Sequence, residues 1–197
     1  MENRAIFRAG GLVCIVSGIL LPLGVILHFP IVTPLAHTVY MIALVWFLFA
    51  TVVLYTVQAR QTGVIGMGGF GLAILGLLSA LISGFFTMLE LAGSSEAHNV
   101  FMFAYVNVPI FMIGAYAVVM GFLLLGIATL YSGILSRWAG ALIALGAVVN
   151  LPAELVMSMM FLWPIAAALT GAGLIWIGGG LVTGQYPAAA PALPEFE

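Results

Sequence analysis

Long apolar runs, interrupted only by short breaks, constrain this chain more than any motif in it. Six can be read: Gly11 to Phe29, Leu35 to Val57, Val64 to Leu91, Val100 to Tyr131, Trp138 to Met160 and Pro164 to Thr183. Crossing hydrocarbon about 30 Å thick takes roughly 20 apolar residues in a helix, and each run meets that length. Hydrocarbon offers the backbone no water to bond to, so each run must close its hydrogen bonds within itself. The breaks are Pro30 and Pro34, Gln58 to Thr62, Gly93 to Asn99, Ser132 to Arg137, and Trp163-Pro164, none of them able to hold a soluble domain. The expected fold is therefore all-α: a polytopic membrane protein with a six-helix transmembrane bundle over residues 1–183. Residues 184–197, rich in Ala and Pro, read as a disordered cytoplasmic tail. The third and fourth runs exceed one crossing, and Pro109 is the expected kink because it withholds a backbone donor.

Composition agrees. The chain has 197 residues, 64% of them hydrophobic and 5% charged, and a mean hydropathy of +1.30, more apolar surface than a soluble domain of this size buries. A net charge of −2 with no basic cluster excludes nucleic acid as a partner. Cys14 is the only cysteine, so there is no intrachain disulfide and no Cys-based metal motif. Arg4 and Arg8 precede the first apolar run as in a secretory signal, but no small-x-small cleavage pattern follows, and the run reads as a retained span.

Folded into six spans, the ionisable groups separate by side. Arg4, Arg8, Arg60 and Arg137 share one face, which the positive-inside bias makes cytoplasmic, and both termini lie there with them. His28, His37, Glu90, Glu96, His98 and Glu154 belong to the opposite face or to the half of the membrane beside it. Tyr55, Tyr131, Trp138 and Tyr186 near the inner boundary, and Tyr40 and Trp163 near the outer one, read as aromatic belts. Recurrent Arg and Gly residues at the inner ends (Arg8-Ala9-Gly10, Arg60 before Gly63, Arg137 before Gly140) suggest three helical-hairpin repeats, though loop composition alone produces the same pattern.

His28-Phe29-Pro30, then His37, Leu54-Tyr55, and Arg60-Gln61 before Gly63 carry a resemblance over the first half of the chain. This stretch resembles a group of bacterial multi-pass membrane proteins known only as a domain of unknown function. The resemblance implies a helical bundle in the bacterial cytoplasmic (inner) membrane and no particular activity.

Gly76, Ala80 and Gly84 repeat at four-residue spacing, a smooth strip expected to face another helix. Ser79, Ser83 and Thr87 run beside it toward Glu90, either facing a site or bonding back to their own helix. Asn150, Glu154 and Ser158 stand at i, i+4 and i+8, so one helical face would carry all three, with Glu154 inside the outer half of the bilayer. An ionisable group at that depth is costly unless it pairs, meets water or stays neutral, which makes it a candidate site or a structural hydrogen-bonding group. Glu90, Glu154, Asn150, Ser158, His98 and Tyr105 form the candidate ligand-binding set. His28, His37 and His98 lie at similar depth and are the candidate metal ligands; with Met41, Met88, Met102, Met157, Met159 and Met160 nearby, haem or copper would be the cofactor. No HxxxH, HExxH, phosphate loop, nucleophile elbow or Asp is present, which argues against a conventional enzyme.

Three function classes fit these features. One is binding or permeation of a small molecule through an outer-leaflet polar cavity. The second is a haem or copper redox protein, and the third an accessory subunit that packs a membrane-protein partner or a second copy through its small-residue faces.

Overall fold

A computed structural model of the chain describes residues 2–29, 32–96 and 110–186. It contains α1 (Glu2–His28), α2 (Pro34–Leu91), α3 (Ile110–Ser132), α4 (Arg137–Leu155), a 3-10 turn at Met157–Met159, and α5 (Leu162–Thr183), with no strand among the described residues. All five α-helices are long and apolar enough to cross a membrane.

Two boundaries depart from the expected ones for local reasons. The first helix starts at Glu2 rather than Gly11, taking in Arg4 and Arg8, since arginine is a good helix former. The helix expected to reach Met160 stops at Leu155: Pro152 withholds an amide from its last turns, and Val156 leaves it extended at φ −130°, ψ 107°. Ser158 therefore falls in the 3-10 turn, exposed and off the face that carries Asn150 and Glu154.

The second element is 58 residues long, and a straight helix of that length would run about 87 Å at 1.5 Å per residue. It is not straight. At Gly63 the backbone takes φ 53°, ψ −145°, a conformation open to glycine and costly for any residue with a Cβ. The limbs on either side, 34–62 and 64–91, fold back on each other: His37 bonds Gly84, and Tyr55 stacks on Phe70 with ring centroids 4.3 Å apart. Positions rising along one limb meet positions falling along the other, so the limbs are antiparallel. The expected polar connection from Gln58 to Thr62 is helix instead, its Thr62 hydroxyl bonding the Gln58 carbonyl at 3.1 Å. At the other end Thr33 caps the helix, Oγ1 accepting from the Ala36 amide at 3.2 Å, with Pro34 in the first turn.

Packing runs in a ring: α1 on α2, α2 on α3, α3 on α4, α4 on α5, and α5 back on α1. Small residues set the closest approaches. Gly11 and Gly18 of α1 oppose Gly178 and Gly171 of α5, and a Cβ on Gly11 would lie 2.7 Å from the Gly178 carbonyl oxygen. Equal seven-residue spacing on antiparallel helices brings both pairs into register. The strip Gly76, Ala80, Gly84 does face protein, but it divides between neighbours: Gly76 lies against Val118 and Gly114 of α3, Gly84 against Met41 and His37 of the first limb. Inside the ring, Leu54, Leu77, Leu125, Ile143, Leu174 and Ile177 are fully buried, and Phe47 stacks on Phe122 at 4.5 Å. Outside, Ile19, Leu75, Phe85, Ile113, Leu145 and Trp176 are exposed, an apolar surface suited to hydrocarbon and costly in water.

Candidate functional site

The ring is not filled to both ends. In the half away from Arg60 and Arg137 it encloses a cavity of about 420 Å³, within the range of small-molecule sites. Its floor is apolar and buried: Leu44, Phe47, Leu77, Val119 and Phe122. Polar groups gather toward the mouth: His28 from α1, His37 and Tyr40 from the first limb of α2, Ser83 and Thr87 from the second, Asn150 and Glu154 from α4, and Trp163 from α5. All five helices contribute to the wall, so the site exists only when the ring is closed.

The two histidines are bonded in series. His37 is 2% exposed, and its Nε2 stands 2.8 Å from the carbonyl oxygen of Gly84. A carbonyl can only accept, so Nε2 carries the proton. In neutral His37 the remaining nitrogen, Nδ1, is then an acceptor. It faces Nδ1 of His28 at 3.4 Å, so neutral His28 is the donor there and keeps a lone pair on Nε2. The His28 ring stacks on Tyr40 at 4.8 Å between centroids, which holds its plane. A proton added to the pair goes to the free Nε2 of His28, which then presents an N–H instead of a lone pair.

Glu154 is partly buried in the cavity wall. Asn150, one turn earlier, donates from Nδ2 to Oε1 across a long 3.4 Å. The indole of Trp163 lies beside the same carboxylate; its Nε1 is buried yet completes no hydrogen bond of good geometry. Tyr40 is within electrostatic reach of Glu154, which joins the carboxylate to the histidine side of the cavity.

Of the residues expected from sequence, Glu154, Asn150, His28 and His37 line one cavity. Ser79, Ser83 and Thr87 line it too, and Thr87 also bonds back to the Ser83 carbonyl at 3.2 Å. Glu90 is not among the lining residues, and Ser158 is exposed in the 3-10 turn. His98, Tyr105 and Pro109 lie outside the described residues. Among the described residues no three of His, Cys, Asp or Glu gather as a metal site built from those ligands would require.

Sequence reasoning missed three features. Tyr40 and Trp163, expected in an interfacial belt, are walls of the cavity, as is Tyr116 of α3. Gln58, expected in a loop, is fully buried; the single hydroxyl proton of Thr129 is shared between its Oε1, at 2.9 Å, and the Leu125 carbonyl, at 2.8 Å, while Gln58 Nε2 has no partner. Tyr186, expected in the tail, packs against Gly180 and accepts from the Ser136 amide at 3.4 Å. One signal was available: Gln58 follows Leu54 and Thr51 at helical spacing, and all three are fully buried.

Comparison with known protein families, with curated proteins and with solved structures finds no match to this chain.

Proposed function

We propose that the protein is an integral membrane protein with six crossings, two of them supplied by the limbs of α2, and that it binds or passes a small molecule through the cavity. In this reading the termini and every arginine are cytoplasmic, and the cavity opens on the opposite side. The bacterial cytoplasmic membrane is the location implied by the resemblance of the first half. The observation that carries the proposal is the cavity itself, with a buried apolar floor, a polar mouth and a wall drawn from all five helices. A bundle that served only to pack a partner would gain nothing from leaving that volume unfilled, since voids forfeit dispersion contacts.

Cysteine accessibility tests both parts. Native Cys14 is buried at 0% exposure and gives little background. In intact cells a membrane-impermeant maleimide should label Thr87→Cys, at the cavity mouth, and should reach Gln61→Cys only from the cytoplasmic side. Labelling of Gln61→Cys from outside, with Thr87→Cys accessible only in inverted vesicles, would reverse the topology.

A further inference from the structure

We propose that the cavity takes an organic cation with an apolar body, and that protons compete with it through Glu154 and the His28–His37 pair. The inference rests on the cavity being a binding site and names the class of molecule it accepts. Three independent features of the lining point the same way.

The first is charge. Among the described residues, Glu154 is the only carboxylate that lines the cavity, and neither Arg nor Lys lines it. An anion would enter a low-dielectric site with no fixed positive charge to meet it, whereas a cation would meet a carboxylate. The second is the aromatic lining. Tyr40, Phe47, Tyr116, Phe122 and Trp163 come from three different helices, and aromatic faces attract a cation most strongly when it is desolvated. The third is hydrogen-bond polarity. The carbonyl of Gly84 sets the tautomer of His37, which in turn makes His28 a donor inward and leaves its Nε2 as an acceptor. With the Glu154 carboxylate and Oδ1 of Asn150, the neutral site is rich in acceptors.

Competition with protons follows from the same groups. Among the described residues, the titratable side chains that face the cavity are His28 from α1, His37 and Tyr40 from α2, Tyr116 from α3 and Glu154 from α4, with none from α5. A proton and a cation compete for the Glu154 carboxylate, because protonating it removes the negative charge that the cation meets. When the histidine pair takes up a proton, His28 turns from acceptor to donor and the pair becomes positive beside the bound cation, which weakens the complex. Binding should therefore be strongest in mild alkali and fall on acidification.

Tetraphenylphosphonium and tetraphenylborate have the same shape and opposite charge, and triphenylphosphine oxide is a neutral relative, so the three probes isolate the charge term. Equilibrium dialysis of the purified full chain in detergent, at about pH 8 and about pH 5.5, spans the histidine range. Tetraphenylphosphonium should saturate and bind at least about tenfold more tightly than tetraphenylborate, and acidification should weaken it by about tenfold. Glu154→Gln should lose about tenfold or more of that affinity, while Glu154→Asp, which keeps the carboxylate, should keep the preference for the cation. Circular dichroism and size-exclusion profiles matching the parent would show that these variants are folded. Equal binding of the borate, or undiminished phosphonium binding by folded Glu154→Gln, would overturn the proposal. Saturable binding of the phosphine oxide without the phosphonium would overturn the cation assignment and leave the cavity standing as a site. Failure of all three to saturate would remove both.

Discussion

Nε2 of His37, on the first limb of α2, donates a 2.8 Å hydrogen bond to the carbonyl of Gly84 on the second limb. Forty-seven residues separate the two in sequence. The bond closes the hairpin that turns at Gly63, and it also sets which nitrogen of His37 is left to face His28. Gly84 makes the approach available: a Cβ there would run into the Met41 sulfur and come within 3.6 Å of His37 Nε2.

His37→Ala should destabilise the protein by about 2–4 kcal/mol, since it removes a buried ring and a buried hydrogen bond together. Unfolding in a denaturing-detergent titration measures this. Nitrogen-15 spectra of the imidazoles in mild alkali should show His37 protonated on Nε2 and His28 on Nδ1. The opposite tautomer at His28 would break the chain of bonds inferred from the Gly84 carbonyl.

Gln58 and Thr129 should respond unequally to loss of the partner. Thr129→Val strands the buried Oε1 of Gln58 and should cost about 1–3 kcal/mol. Gln58→Leu also removes an amide nitrogen that has no partner, and Thr129 keeps its bond to the Leu125 carbonyl, so the change should stay within about 1 kcal/mol of neutral. Equal losses in the two variants, read by the same titration, would contradict this account.

Three glycine-to-alanine substitutions separate backbone strain from crowding. Gly63→Ala should cost about 1–3 kcal/mol although nothing lies within 4 Å of the added methyl, because the cost comes from the backbone conformation. Gly18→Ala should cost a similar amount for the other reason, its Cβ lying 2.5 Å from the Gly171 carbonyl oxygen. Gly68→Ala, on an open helical surface, should be neutral or stabilise by up to about 1 kcal/mol. Thermal melts in detergent should place Gly68→Ala apart from the other two; a uniform response would refute the distinction.

Much of the helical layout was legible because the chain is so apolar. Runs such as Val64 to Leu91 can satisfy their backbone in hydrocarbon only as helices, and a single Glu or Asn inside such a run, as at Glu154 and Asn150, stands out without any alignment. Helix ends were less legible. The polar stretch from Gln58 to Thr62 reads as a connection, yet helix hydrogen bonds continue through it to Gly63, where backbone conformation alone makes the turn.

The sequence by itself determined that the chain is helical, where arginine and carboxylate fall along it, and which positions are small enough for close helix contact. Tertiary structure alone decided which side chains meet. A helix apolar on all sides carries no periodic signal of its inward face, so nothing in the sequence distinguished Tyr40 and Trp163 in a cavity wall from the same residues in an interfacial belt. The pairing of His37 with Gly84, of Gln58 with Thr129, and of Glu154 with the histidine side of one cavity follows from the turn at Gly63 and the closure of α1 on α5, which are contacts between residues far apart in the chain.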